Sequence, residues 1–350
     1  MKLESFDDVR KSIASNTERD FHLLLGNGFS MAYDPRIFSY NALHNFITEL
    51  NDPDLTTIFA AIETKNFELI MQQLDTLSAL LDAFKAGAEI KQKVDAASSK
   101  LKSSLLDAVK ELHPEHVFTV PEDESKACSH FIKTFLDTGG SLFSTNYDLL
   151  LYWILMRNNV VGHTDGFGRD LENADESPLP EDQEWSELRW GRNKKNQNVF
   201  YLHGALPFFD AGANIIKEEY DQRNYLLQKI EKRMRRGEYP VFVTAGDGDE
   251  KLTHMMHNQY LTHCYETLSN ITGSLVTFGF NFGRYDRHII QAINRAAKYG
   301  GKEFPKLLSV YIGVYSDEDR AHIERIRGEF SCKVRLYDAR SADIWGRVNA

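Results

Sequence analysis

The chain is poor in cysteine: Cys128, Cys264 and Cys332 are the only three in 350 residues, and they lie far apart. An odd number at such spacing builds neither a disulfide framework nor the paired CxxC of a zinc knuckle, and it suits a reducing compartment. Long apolar runs are lacking as well. The longest, Leu149 to Met156, has eight residues, well short of the roughly 20 that a membrane span needs. The opening MKLESFDDVRKS carries charge but no apolar centre, so it does not read as a signal peptide. Positive charge is not in excess either: 41 Lys and Arg stand against 51 Asp and Glu, for a net charge of −10, with no basic tail. That balance argues against nucleic acid as a partner, because such binding leans on counterion release by basic side chains. Together these absences predict a cytoplasmic protein that acts on a small molecule or another protein, with no membrane association.

What is present is ordinary globular material, 42% hydrophobic and 26% charged. The length allows one large domain with insertions, or two modest ones. Short apolar runs that stop at glycine or a polar cluster predict buried strands at Phe21–Leu25, Ser141–Thr145, Val199–Leu202, Pro240–Thr244, Ser274–Phe278, Leu307–Val314 and Lys333–Tyr337. Helical spacing dominates between Asn41 and Leu136, and charged helical sequence covers about 215–237 and 249–270. Alternating strands and helices predict an α/β fold with a Rossmann-like parallel sheet. We assign it to 1–44 and 136–350, with a large helical insertion at 45–135 and a polar excursion, with room for a hairpin, at 162–198.

The polar residues of interest follow strands, where ligands bind in such sheets. Gly26-Asn27-Gly28-Phe29-Ser30 lets the backbone approach a pyrophosphate and the next helix offer its amides, although a structural turn uses the same glycines and Met31 replaces the third glycine of the dinucleotide fingerprint. Ser144-Thr145-Asn146-Tyr147-Asp148 offers Asn for a water or ribose hydroxyl and Asp for an amide, or else an ordinary helix cap. His203-Gly204 presents a histidine suited to general-base work or to a structural role. Gly279-Phe280-Asn281-Phe282, followed by Asp286 and His288, contacts an adenosine or simply ends a strand.

In this order the four segments resemble the sirtuin-like (SIR2-like) nucleotide-binding domain, where a GxGxS turn, a T-x-N-x-D segment, an H-G pair and a late G-x-S/N loop surround NAD. Asp34-Pro35-Arg36 is similar to the aspartate and arginine of the family's flexible loop. The stretch from Val241 through Lys251-Leu252 and Tyr260-Leu261 to Gly279 and Asp286 resembles a bacterial branch described as DUF4917. The two CxxC pairs of protein-deacylating sirtuins are missing, and Asn281 stands where serine is usual. The resemblance therefore implies an NAD glycohydrolase, not a deacylase, similar to the NAD-depleting proteins of bacterial antiviral defence.

It further implies that NAD, as substrate, contacts Gly26, Asn27, Gly28, Phe29, Ser30, Arg36, Thr145, Asp148, Gly279 and Asn281. Asp148 would recognise the carboxamide, Asn146 would hold the ribose or the attacking water, and His203 would draw a proton. The products would be nicotinamide and ADP-ribose or a cyclised form. Two other readings keep the same fold: a nucleotide sensor that relays occupancy to a protein partner, and an ADP-ribosyltransferase. No metal is expected. His254, His257 and His263 fall in one predicted helix without a third ligand type, His113-Pro114-Glu115-His116 reads as a polar turn, and Gly246-Asp247-Gly248-Asp249 fails EF-hand spacing. Along Asn66–Phe84, Ile70, Leu74, Leu77 and Leu81 form one apolar stripe, with Phe67, Met71, Leu80 and Phe84 beside it. So wide a stripe predicts a homo-oligomer through the insertion or a satellite core within one chain.

Overall fold

A computed structural model of the chain describes residues 3–15, 19–35, 53–62, 67–85, 87–169, 187–212, 214–220, 223–242, 248–283, 286–298 and 307–347. Its elements run in the order α1 (Phe6–Ala14), β1 (Phe21–Leu25), α2 (Gly28–Tyr33), α3 (Pro53–Ile62), α4 (Phe67–Ala83), α5 (Ala88–Leu112), α6 (Glu122–Leu136), β2 (Leu142–Ser144) and α7 (Leu150–Arg157). There follow β3 (Phe167–Arg169), β4 (Leu188–Trp190), β5 (Val199–Tyr201), β6 (Gly204–Asp210), β7 (Ile215–Lys217), α8 (Leu226–Arg235), β8 (Pro240–Phe242), α9 (Gly248–Met256) and α10 (Gln259–Leu268). The chain closes with β9 (Gly273–Phe278), α11 (Arg287–Ala297), β10 (Leu307–Val314), α12 (Asp317–Ile326) and β11 (Lys333–Asp338).

Six of these strands form one all-parallel sheet in the order β11-β10-β9-β1-β2-β5. This is the doubly wound arrangement, in which the order reverses between β1 and β9, the switch point outside whose carboxyl ends such sheets bind ligands. The expected α/β, Rossmann-like architecture is therefore present. Every residue of β1 and of β9 is buried, as a strand covered on both faces requires. On one face Phe21 packs on Phe135 of α6, with ring centroids 4.4 Å apart, and Phe6 of α1 meets Phe131 at 5.2 Å. The next residue, His22, points to the opposite face, towards His263, Glu266 and Thr267 of α10.

A second, antiparallel sheet in the order β3-β4-β7-β6-β8 extends from the β5 edge. It corrects two expectations and agrees with a third, the hairpin of the polar excursion. Pro240–Phe242 pairs antiparallel with β6 and is not a strand of the parallel sheet. Residues 215–217 are a strand, and the charged helix begins only at Leu226. The excursion at 162–198 supplies β3 and β4, which pair antiparallel, with residues 170–186 outside the described set. Phe208 of β6 packs on Tyr260 of α10 (5.3 Å), and Tyr201 N donates to Tyr260 Oη at 3.0 Å, so the two sheets share a core.

The expected long helix at 249–270 is two, because Asn258 adopts an extended conformation and its side chain caps α10 by accepting from Leu261 N. His257 consequently lies in the turn after α9, and His263 lies on α10. Within the insertion α4 and α5 pair side by side: Ser78 donates to Asp95 (2.6 Å) and Ser98 to Asp75 (2.8 Å) over the buried Ile70, Leu74, Val94 and Leu101. No helix among the described residues is long and apolar enough to cross a membrane.

Candidate functional site

Because the sheet is parallel, the segments after β1, β2, β5 and β9 emerge on one edge. After β1 and β9 that edge is built by backbone packing on backbone. A Cβ on Gly26 would lie 2.5 Å from the Gly279 carbonyl oxygen, one on Gly28 would lie 2.6 Å from Gly279 Cα, and Gly279 itself holds φ +66°. Only glycine satisfies all three positions. Gly26 N donates to the Phe278 carbonyl (2.9 Å), Gly28 N to the Gly279 carbonyl (2.8 Å) and Phe29 N to the Gly26 carbonyl (2.9 Å). These amides are thus spent within the protein, and α2 has only six residues. Phe29 is core, with its carbonyl accepting from Trp345 Nε1 and its ring 5.2 Å from that indole. Asn27 reaches Met31 Sδ, and Asn281 is exposed with its Oδ1 accepting from Gly283 N. Arg36 lies outside the described residues.

After β2 the same edge is built from side chains. Thr145 N donates to the Leu25 carbonyl at 3.0 Å, tying this loop to β1. Asp148 accepts from Leu150 N (2.9 Å) at the start of α7 and from Ser30 Oγ. Ser30 Oγ in turn accepts from Asn146 Nδ2 at 3.0 Å. All three side chains are buried. A hydroxyl has one proton, and Ser30 gives it to Asp148, so Asn146 must present its amide N–H to Ser30 and aim Oδ1 elsewhere. Asn146 Oδ1 is buried and has no hydrogen-bond partner among the described residues. Burial raises the Asp148 pKa, opposed by the hydrogen bonds from Ser30 and Leu150.

His203 stands at the neighbouring strand end. The amides of Leu202 and Leu206 donate to the carbonyls of Ser144 and Tyr147, each at 2.8 Å, locking the His203 turn against the Asn146 loop. Gly204, at φ +80°, turns the chain from β5 into β6 in a backbone region that favours glycine. The His203 ring stacks on Tyr147, and its Nε2 lies 2.8 Å from His288 Nε2, on α11. Both rings are buried, and burial, the opposite imidazole and Lys251 hold the His203 pKa well below its ordinary value. His288 is lowered to about 3 by burial and by Lys251. Lys251, itself buried, donates to Asp286 Oδ1 at 3.0 Å. The sequence brought up Asp286 and His288 but carried no sign of this pairing, which joins residues 85 positions apart.

Ligand-type atoms of His203, Asp286 and His288 lie within 4.8 Å of one another. The surroundings do not suit a metal. Asp286 is already neutralised by a buried lysine, and a metal-bound histidine normally donates its second nitrogen to a fixed acceptor, whereas His288 Nδ1 has no partner among the described residues. Residues 113–116 form bends leading into a short 3₁₀ turn, as expected of a polar turn, but His113 within them is buried: its Nε2 accepts from Leu149 N (3.0 Å), and burial lowers its pKa to about 4.

A family model described as a domain of unknown function, DUF4917, matches residues 23–345, from within β1 to beyond β11. No curated protein matches the chain.

Proposed function

The chain belongs to the DUF4917 family, and we propose that it is an NAD glycohydrolase, cleaving the nicotinamide–ribose bond to release nicotinamide and ADP-ribose. The observation that carries this reading is Asn146: a buried side chain held at its amide end by Ser30, which Asp148 in turn orients, with a carbonyl oxygen left over. A loop that served only to cap α7 needs Asp148 but has no use for a buried, unpaired oxygen. The segments that bear the sirtuin-like resemblance follow β1, β2, β5 and β9, so the likeness and the polar edge coincide. In this reading Asn146 Oδ1 accepts from the attacking water or from a ribose hydroxyl, and His203 makes the second polar contact from the adjacent strand end.

The chemistry asks little more of the protein. As the C1′–N bond breaks, its electron pair neutralises the pyridinium nitrogen and the ribose carries the positive charge. Water then adds at C1′ and gives up a proton. Fixed dipoles in a site closed to bulk water are the main resource for such a step. The absence of CxxC pairs keeps protein deacylation out of the proposal.

Purified protein incubated with NAD, with nicotinamide followed by chromatography, tests the reading. Wild type should turn over, and Asn146→Ala and His203→Ala should each lower kcat on the order of 100-fold. Equal rates in all three would sink it, and tight NAD binding without product would point to a nucleotide sensor.

A further inference from the structure

Two imidazole nitrogens 2.8 Å apart share one proton: one ring donates and the other accepts. The choice fixes what His203 shows to a ligand. If His203 Nε2 donated, its Nδ1 would be a bare lone pair, the form a general base requires. His288 Nε2 would then accept, and its own proton would lie on Nδ1, which is buried without a partner. If His288 Nε2 donates instead, its Nδ1 is a bare lone pair and His203 carries its proton on Nδ1. A buried donor without an acceptor is the costlier of the two orphans. The buried Lys251 ammonium near the pair opposes a second proton on His288, which keeps that ring neutral.

We infer that His288 is a positioning residue that locks His203 as the Nδ1–H tautomer, so that His203 serves NAD cleavage as a hydrogen-bond donor and not as a proton acceptor. This rests on the NAD-hydrolysing reading above. The donor would meet an oxygen of the ribose or of the carboxamide. Such a role agrees with an imidazole that stays neutral throughout the physiological range, and it leaves orientation of the water to Asn146. The charged and titratable groups about the pair are Lys251 of α9, Asp286 before α11 and Tyr147 after β2.

The tautomer is measurable without substrate. In protein labelled with 15N-histidine, the His203 signals, assigned by their loss in His203→Asn, should show a protonated Nδ1 and a bare Nε2 from pH 6 to 8. A proton on Nε2 overturns the inference, whether or not the protein hydrolyses NAD. If it does, the side-chain geometry gives a second test, because an asparagine amide stands near the Nδ1 position of histidine and a glutamine amide near Nε2. His203→Asn should then keep kcat within about tenfold of wild type while His203→Ala loses on the order of 100-fold. His288→Gln, which can still donate to His203 Nε2, should keep kcat where His288→Phe loses it with KM little changed. A His203→Asn variant as slow as His203→Ala, in a wild type that turns over, overturns the donor role and leaves the NAD reading standing.

Discussion

The carboxyl edge of the parallel sheet has two unlike halves. At β1 and β9 it is closed: glycine backbones interlock and the turn amides are paired, although the Thr277 hydroxyl of β9 is buried without a partner among the described residues. At β2 and β5, with His288 reaching in from α11, it is unfinished: Asn146 Oδ1 and His288 Nδ1 are buried and unpaired among the described residues, and two imidazoles face each other in a neutral state. Native interiors pair their polar groups, and orphans cost stability; two of them, Asn146 Oδ1 and His288 Nδ1, belong to residues beside the His203 turn, which makes this half the candidate for chemistry. The glycine half fixes the crevice, and the polar half works in it.

This contrast is most sharply broken at Gly279. A methyl group there would lie 2.5 Å from Gly28 C and Phe29 N, on a residue whose φ of +66° already disfavours a side chain. Gly279→Ala should therefore lower unfolding stability by roughly 3–5 kcal/mol in a urea titration. A loss below about 1 kcal/mol would show that the two loops are free to separate, and the closed half would not be closed.

Asn146→Ala should do the reverse. It removes one hydrogen bond to Ser30 and one orphaned oxygen, two terms of opposite sign. The expected change in stability is within about 1 kcal/mol, while NAD cleavage falls on the order of 100-fold. A melting temperature that drops as far as in Gly279→Ala would instead make Asn146 a structural residue and remove the ground for the functional reading.

The halves also differ in how far they could be read from sequence. Phe21–Leu25 and Gly273–Phe278 announce themselves as apolar runs ending in glycine because a parallel strand is buried on both faces. In the antiparallel sheet only the run at Pro240–Thr244 gives such a signal, and it does not tell which sheet the strand joins. β3, β4, β7 and β8 have three residues each, too few to show a period. β6 contains Pro207, and its pairing with β8 shifts register between Gly204 and Phe209. At the site, Ser30, Asn146, Asp148 and His203 stand out as polar residues after strands. That the first three form one hydrogen-bonded chain follows from the parallel pairing of β1 with β2. The His203–His288 contact depends on where α11 packs, which no spacing encodes.

Acid should expose the cost of the neutral histidines. His113, buried and holding Leu149 N, has its pKa lowered to about 4. Its folded form binds fewer protons than the unfolded chain, whose imidazole titrates at about 6.5. Its contribution is thus fully present above that value and is lost as pH falls towards 4, by up to about 1.4 kcal/mol per unit and about 3 kcal/mol in all. His203 and His288 act in the same direction. Urea midpoints measured from pH 7 to 4.5 should fall steadily, and His113→Gln should flatten part of the slope. A flat wild-type profile would mean that these rings take up protons in the fold as readily as outside it.

The smallest effect belongs to the insertion. On α4, Ile70 and Leu74 are buried and Leu81 is half-buried, whereas Leu77, Leu80 and Phe84 are exposed, at 43%, 47% and 79%. One side of the wide apolar stripe is therefore covered by α5 and its neighbours within the chain, and the other side is open. Replacing an open position breaks no packing: Leu77→Glu should change stability by no more than about 0.5 kcal/mol. Light scattering then tests the expected homo-oligomer on a fold that is intact. A wild-type mass above one 40.2 kDa chain that falls to one chain in Leu77→Glu with Leu80→Glu assigns the open side to a second copy. A single-chain mass for the wild type at micromolar concentration leaves the stripe as a satellite core with an exposed margin, which scattered surface leucines often provide.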